Sequence, residues 1–197
     1  IKDPKERQIF KLHYFPDRIV HHAVLNIVEG TFVKSFIRDT YSCIKNRGIH
    51  KALYTLKRDL NKEKETYYCL KLDVKKFYPS INNEILKQLL RKKFKDDNLL
   101  KLLDNIIDSV DGLPIGNYLS QTLANFYLNY FDHWLKEVKQ VKYYYRYCDD
   151  MVILSANKEN LHKLFYHIQE YLQNELKLEV NKSHQVFPVN KRGIDFL

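Results

Sequence analysis

The chain is poor in the residues that start, cross-link and punctuate proteins. Methionine occurs once, as Met151, and the first residue is Ile1, so the sequence reads as an excised or processed piece of something longer. Three cysteines, Cys43, Cys69 and Cys148, stand apart with no CxxC spacing. An odd, scattered set argues against a disulfide framework or a thiolate zinc site and fits a reducing, cytoplasmic setting. Glycine and proline number 5 each among 197 residues, with no internal repeat, Ser/Gly linker or low-complexity tract, which predicts one compact unit rather than a string of modules. No apolar run approaches a bilayer span, and the N-terminus lacks the basic-then-apolar layout of a signal peptide. A membrane is therefore not expected as a partner.

What is present in excess is positive charge. Lys and Arg total 33 against 24 Asp and Glu, giving +9 and a pI near 9.3, a balance that favours an anionic partner such as nucleic acid. A hydrophobic fraction of 45% in 23.8 kDa is enough for one good core. Residues 7–14 read as a strand. FPDRIVHHAVLNIVEGTF follows as a helix with Ile19, Val20, Ala23, Val24, Ile27 and Val28 on one face and Pro16 near its first turn. A second helix is expected after His50. TYYCLKLDVKKFYPSI holds a β-rich run over 67–74 that ends in a turn at Pro79-Ser80.

Helical patterns fill 83–94 and 97–109, and DGLPIGN is a turn. Leu119, Leu123, Phe126, Tyr130, Trp134 and Val138 then recur at threes and fours, which predicts the longest helix, packed on a sheet. YYYRYCDDMVILS predicts a hairpin with Asp149 and Asp150 at its tip, 158–176 an amphipathic helix, and LEVNKSHQVFPV and GIDFL short closing strands. Strand, helices, hairpin, helix and strand make an α+β fold, a sheet covered by helices on one face.

Adjacent aspartates beside apolar strands repel each other and are costly to desolvate, so a positive charge must compensate them. Lys, Arg or a metal ion can do so. Asp73 ends the first strand, whose sheet neighbour should be the strand leading to Asp149, and this gathers carboxylates from distant parts of the chain at one edge. Hard oxygen ligands suit Mg²⁺, which takes one or two carboxylates plus substrate phosphates. Two such ions can stabilise both the attacking and the leaving oxygen of an in-line phosphoryl displacement. A solvated turn is the plainer reading of Asp149-Asp150 taken alone.

Five ordered stretches resemble the reverse transcriptases across nearly the whole chain. KLDVKKFYPSI resembles their first catalytic motif, GLPIGNYLSQ the second, YRYCDD the YxDD box, and LEVNKSHQV and GIDFL the fourth and fifth. RQIFKLHYFPDRIVHHAVL resembles the fingers segment of bacterial retroelement enzymes. Within the family, IGNYLSQ is most similar to the IGxxxSQ of diversity-generating retroelements, where group II intron maturases and retrons usually carry PQG and SP; DTYSCIKNRGIHKAL points the same way. The resemblance implies a right-hand palm, built as a ferredoxin-like antiparallel sheet with helices on one face, over residues 67–197. It also implies fingers helices inserted at about 82–112, partial fingers over 1–66, and truncation at both ends with the thumb absent.

It further implies that Asp73 and Asp149 ligate two catalytic Mg²⁺ ions, with Mn²⁺ as a substitute, that Asp150 assists, and that the Val74 carbonyl completes a shell. Tyr78, five positions after Asp73, matches a steric gate against a ribose 2′-OH; an ordinary core tyrosine is the competing reading. Arg7, and less strongly Lys5 and Lys11, match fingers cations that hold the nucleotide triphosphate. Ser120 and Gln121 at the helix opening, with Gly116 ahead of them, are candidates to meet template, primer or nucleotide, against a simple N-capping region. Lys182 matches a lysine near the leaving pyrophosphate, or is a surface lysine. Ile115 stands where many relatives place a glutamine against the incoming nucleotide. Cys148 reads as packing, His21 and His22 as packing or surface groups, and Lys57, Arg58, Lys62 and Lys64 as a solvated face with some phosphate attraction.

The expected activity is RNA-templated DNA synthesis, with an RNA template, a DNA or RNA primer and dNTPs as partners; the subgroup resemblance alone adds a basic accessory protein. The alternatives are a catalytically idle RNA-binding polymerase-like module and a group II intron or retron-type reverse transcriptase. A palm-fold nucleotidyl cyclase is disfavoured by the lack of a GGDEF-like signature, and RNA synthesis by Tyr78.

Overall fold

The computed structural model describes residues 13–116 and 118–196. They form two compact units, one from the residues up to Ser35 with Tyr78–Tyr127, the other from Phe36–Phe77 with the residues from Leu128 onward.

The second unit holds the sheet. Its strands β1 (Tyr68–Leu72), β2 (Tyr143–Tyr147), β3 (Asp150–Ser155) and β4 (Gln185–Pro188) pair antiparallel in the order β2-β3-β1-β4. Helices separate β1 from β2 and β3 from β4, so the topology is the ferredoxin-like one. Aromatic and β-branched residues make β2 and β3 strand formers, and both strands are buried along most of their length. Side chains alternate across the sheet. Cys69, Tyr143, Tyr145, Val152 and Leu154 form one core cluster with Tyr41, with Phe196, and with Ala52 and Leu56 of α2 (Ile49–Leu60). Each large apolar side chain sealed there contributes about 1.5–3 kcal/mol. Helix α8 (Lys158–Leu176) lies against β1, β3 and β4, with Leu161, Phe165, Ile168, Leu172 and Leu176 as its buried stripe. The Asn157 side chain caps it by accepting from Glu159 N and Asn160 N at 2.8 and 3.2 Å.

The first unit is helical. It contains α1 (Ile19–Ser35), α4 (Asn83–Lys93), α5 (Asp97–Ile107) and α6 (Tyr118–Tyr127), and α3 (Phe77–Ser80) leads into it. Phe32 of α1, fully buried, meets the rings of Phe94 and Phe126 at 5.3 and 4.7 Å between centroids. Asn82 and Asp96 cap α4 and α5 through Ile85 N and Leu99 N at 3.0 and 2.8 Å.

Several local expectations are corrected. The buried face of α1 is Val24, Leu25, Val28 and Phe32, whereas Ile19, Val20 and Ile27 are exposed; apolar residues on several sides of this helix left its periodicity ambiguous. Pro79-Ser80 lies in the short helix α3 rather than in a turn. The long helix is broken into α6, α7 (Asn129–His133) and a π-helical turn at Trp134–Val138, and α8 with 19 residues is longer than any of these. The wider π turn shifts the helical register, so Val138 leaves the stripe and is exposed. Among the described residues of GIDFL, 193–196, there is no strand; Phe196 is buried in the α2 cluster instead. The strand expected over 7–14 lies almost wholly outside the described residues.

Candidate functional site

Strand register sets Asp73 beside the hairpin that carries the other two predicted acidic residues. In the β1–β3 pair Leu72 faces Met151, so one further step places Asp73 opposite Asp150, the first residue of β3. Tyr147 pairs with Asp150 across the hairpin, which leaves Cys148 and Asp149 as its tip. Cys148 takes a positive φ of 54°, so it shapes the turn besides packing, and its Sγ lies 3.1 Å from Ser42 Oγ. Just past β1, Val74 bridges to Val180, and the Asp73 carbonyl accepts from Asn181 N at 2.9 Å. The Asp73 carboxylate is held at both oxygens: Asn181 Nδ2 donates to Oδ2 at 3.1 Å and Ser183 Oγ to Oδ1 at 3.2 Å. Lys182 sits exposed between these two residues. Sequence reasoning selected the lysine and passed over its neighbours, although two short polar side chains flanking it were a legible signal for orienting a carboxylate.

A buried ion pair underpins the hairpin. Arg146 and Asp132 both have fully buried side chains. Arg146 Nε donates to Asp132 Oδ1 at 2.8 Å and Nη2 to Oδ2 at 2.5 Å; Tyr144 Oη donates to Oδ1 at 2.7 Å and Thr40 Oγ1 to Oδ2 at 3.3 Å. Arg146 Nη1 then donates to the Cys148 carbonyl at 2.9 Å, which ties the tip of the hairpin to the pair. Burial alone disfavours the guanidinium charge, but Asp132 outweighs it and raises the Arg146 pKa. Burial pushes the Tyr144 phenol up as well, so it stays a hydrogen-bond donor at neutral pH. Asp132 belongs to no quoted motif, and only the fold reveals its partner.

The remaining candidates lie in the helical unit. Tyr78 is half-buried on α3, and its carbonyl accepts from Leu113 N at 3.0 Å. Gly112 has φ +73°, and a Cβ there would sit 2.8 Å from the carbonyl oxygens of both Tyr78 and Pro79. Glycine is thus what allows the DGLPIG loop to lie on the Tyr78 backbone. Ile115 is half-buried and Gly116 exposed with φ +102°. Gly116 borders a cleft of about 540 Å³ whose other walls include Tyr14, Arg18, His21, His22 and Tyr118. Ser120 is buried at 3% exposure, inside α6 rather than at its cap, and Gln121 is half-buried. Arg7, Lys5 and Lys11 lie outside the described residues.

Among the described residues, no three His, Cys, Asp or Glu side chains gather into a group that could hold a metal ion unaided. The donor set nevertheless fits Mg²⁺, which completes its shell with phosphate oxygens and water around one or two carboxylates. Asp73, Asp149 and Asp150 are the residues that could hold it.

An antiparallel sheet in this order, dressed by helices, defines a palm-type α+β fold. Residues 2–197 match the family described as reverse transcriptase (RNA-dependent DNA polymerase), and the chain belongs to that family. It is 24% identical to protein YkfC of Escherichia coli (strain K12), covering 92% of this chain and 59% of that protein. It is 25% identical to the group II intron-encoded protein LtrA of Lactococcus lactis subsp. cremoris, covering 70% of this chain and 24% of LtrA. The chain thus spans 59% of the first of these relatives and about a quarter of the second. Its fold is similar to that of apo telomerase from Candida tropicalis truncated from the C-terminal domain, with TM-score 0.62, 19% identity, and 92% of this chain on 42% of that one. The Candida albicans telomerase in complex with a fragment of telomeric RNA gives TM-score 0.60 at 14% identity, with 91% of this chain on 35% of that one. No helix among the described residues is long and apolar enough to cross a membrane.

Proposed function

We propose that the chain carries out RNA-templated DNA synthesis, adding dNTPs to the 3′-OH of a DNA or RNA primer. The observation that carries this reading is the β1–β3 register, which sets Asp73 beside the Asp149-Asp150 hairpin in a member of the reverse transcriptase family. Asp73 and Asp149, with Asp150 and the Val74 carbonyl, would hold two Mg²⁺ ions, or Mn²⁺. Bound there, the ions supply charge stabilisation to the attacking and leaving oxygens of the displacement. Asn181 and Ser183 orient the Asp73 carboxylate, and Arg146 fixes the hairpin tip through the Cys148 carbonyl. Tyr78 excludes a ribose 2′-OH. Arg7, Lys5, Lys182, Gln121 and Ile115 serve the nucleotide, and Gly116 the template and primer side, while buried Ser120 packs within α6. Residues 67–197 are assigned as palm, with fingers helices inserted at about 82–112, and 1–66 as partial fingers; the grouping of residues 78–127 with the N-terminal helix supports the insertion. The free cysteines are in keeping with a cytoplasmic setting.

The test is extension of a DNA primer on an RNA template with Mg²⁺, by this chain and by a version extended toward the length of its relatives. Asp149→Asn should abolish addition while leaving folding and RNA binding nearly unchanged; substantial extension by a well-folded Asp149→Asn protein overturns the assignment.

Within the family, IGNYLSQ supports a diversity-generating retroelement enzyme working with a basic accessory protein. The likeness to LtrA favours a second reading, a group II intron type. Ile115 separates them. A glutamine there can brace the incoming nucleotide by a hydrogen bond, and its absence should loosen discrimination by roughly 0.5–1.5 kcal/mol, about two- to thirteenfold in error rate. On the first reading Ile115→Gln lowers errors, chiefly at template adenines, when cDNA made by the two proteins is sequenced. Equal error spectra from equally active proteins remove that support.

A further inference from the structure

Helix α2 carries a one-sided basic stripe that none of the proposed roles uses. Its buried face is Ala52, Thr55, Leu56 and Asp59. The opposite face, His50, Lys51, Tyr54, Lys57, Arg58 and Asn61, is exposed throughout, with Tyr54 at 68%. These positions share one broad face: Lys51, Tyr54 and Arg58 follow i, i+3, i+7 spacing over about 10 Å, and Lys57 lies at the other edge of that face, about 120° round the helix from Lys51. Solvated helix faces usually mix signs; this one presents three cations and no acid. Residues 45–64 hold seven Lys or Arg against two Asp or Glu, more than half of the chain's net charge of +9. Arg58 is also pre-oriented. Buried Asp59 accepts from its Nε at 3.1 Å and from Nη2 at 3.0 Å, while half of the Arg58 side chain stays exposed. Lys51 and Lys57 have no ion-pair partner among the described residues. Tyr54, Lys57, Arg58, Leu60 and Asn61 line a shallow concavity of about 610 Å³.

We propose that this face of α2 is a docking surface for single-stranded RNA, with the cations on successive phosphates and the Tyr54 ring as a stacking platform for one base. Cations tracking a backbone around an exposed aromatic ring are what sequence-tolerant single-strand binding requires. The proposal rests on the polymerase reading for its choice of RNA over other polyanions.

The experiment measures binding of this chain to a labelled, unprimed single-stranded RNA across a salt series, for wild type, Lys51→Gln/Lys57→Gln and Tyr54→Ala, with melting curves to confirm folding. Arg58 is left in place because its loss would strip Asp59 of a partner. Losing two phosphate contacts should lower the slope of log affinity against log salt by about 1.4. Tyr54→Ala should weaken binding by about 5- to 150-fold without changing the slope, since stacking releases no counterions. Unchanged slope and affinity in folded variants overturn the proposal. So does displacement of the RNA by polyglutamate of equal charge at equal concentration, which would mark a site for acidic peptides. Primer extension by the wild type, run in parallel, separates the two failures: lost extension with intact RNA slopes sinks the polymerase reading, and the reverse sinks only the α2 surface.

Discussion

Replacing Asp132 by asparagine should destabilise the protein far more than its distance in sequence from any motif suggests. The substitution leaves the Arg146 guanidinium buried with its charge uncompensated, because the side chain is fully covered and Asp132 is its ion-pair partner. Breaking a buried pair from one side costs about 3–5 kcal/mol. Against a total stability of about 5–15 kcal/mol, and at about 2–4 °C per kcal/mol for a chain of this size, the melting temperature should fall by roughly 6–20 °C. Asparagine keeps one acceptor for Tyr144 Oη, so the lower half of that range is expected, with Asp132→Ala nearer the top. The double substitution Asp132→Leu/Arg146→Met removes both charges, and apolar replacement of a buried pair is often neutral or stabilising. Its melting temperature should return most of the way to wild type. Primer extension should not return, because the Cys148 carbonyl has lost the Nη1 donor that holds the hairpin tip. Thermal and urea unfolding followed by circular dichroism give the stabilities. An Asp132→Asn protein within about 1 kcal/mol of wild type, or a double variant with full extension activity, refutes the reasoning.

Tyr78→Ala should relax sugar selection by opening space for a 2′-OH, read as a fall in the ratio of kcat/KM for dGTP over GTP; an unchanged ratio makes Tyr78 only a packing residue. Asp59 gives a pH signature. Burial works against its charge, but hydrogen bonds from Arg58, Tyr145 and Lys62 outweigh it and hold its pKa below the ordinary 3.8. A depressed folded-state pKa contributes stability that is present above the unfolded value and is lost as pH falls through the folded one. The stability gap between wild type and Asp59→Asn should therefore be flat from neutral pH down to about 5 and shrink below about 4; a gap that widens on acidification contradicts the assignment.

Sequence alone determined the elements whose information is local. The β2–β3 hairpin, the amphipathic α8, the capped pair α4 and α5, and the order of elements that makes a ferredoxin-like sheet were all legible, because strand propensity, helical periodicity and capping residues act over a few neighbours. The acidic residues Asp73, Asp149 and Asp150 stood out as candidates too, since charge beside buried strands is a local anomaly. What the tertiary structure decided depends on partners far along the chain. It chose which face of α1 is buried, drew Phe196 of GIDFL into a core instead of a strand, and broke the expected long helix around Asp132. It paired that residue with Arg146, and it supplied Asn181 and Ser183 to Asp73 across more than a hundred residues. A side chain records its own preferences but not which distant group will neutralise or hold it, and that choice is made only when packing brings the two together in a medium where an unpaired charge is too costly to bury.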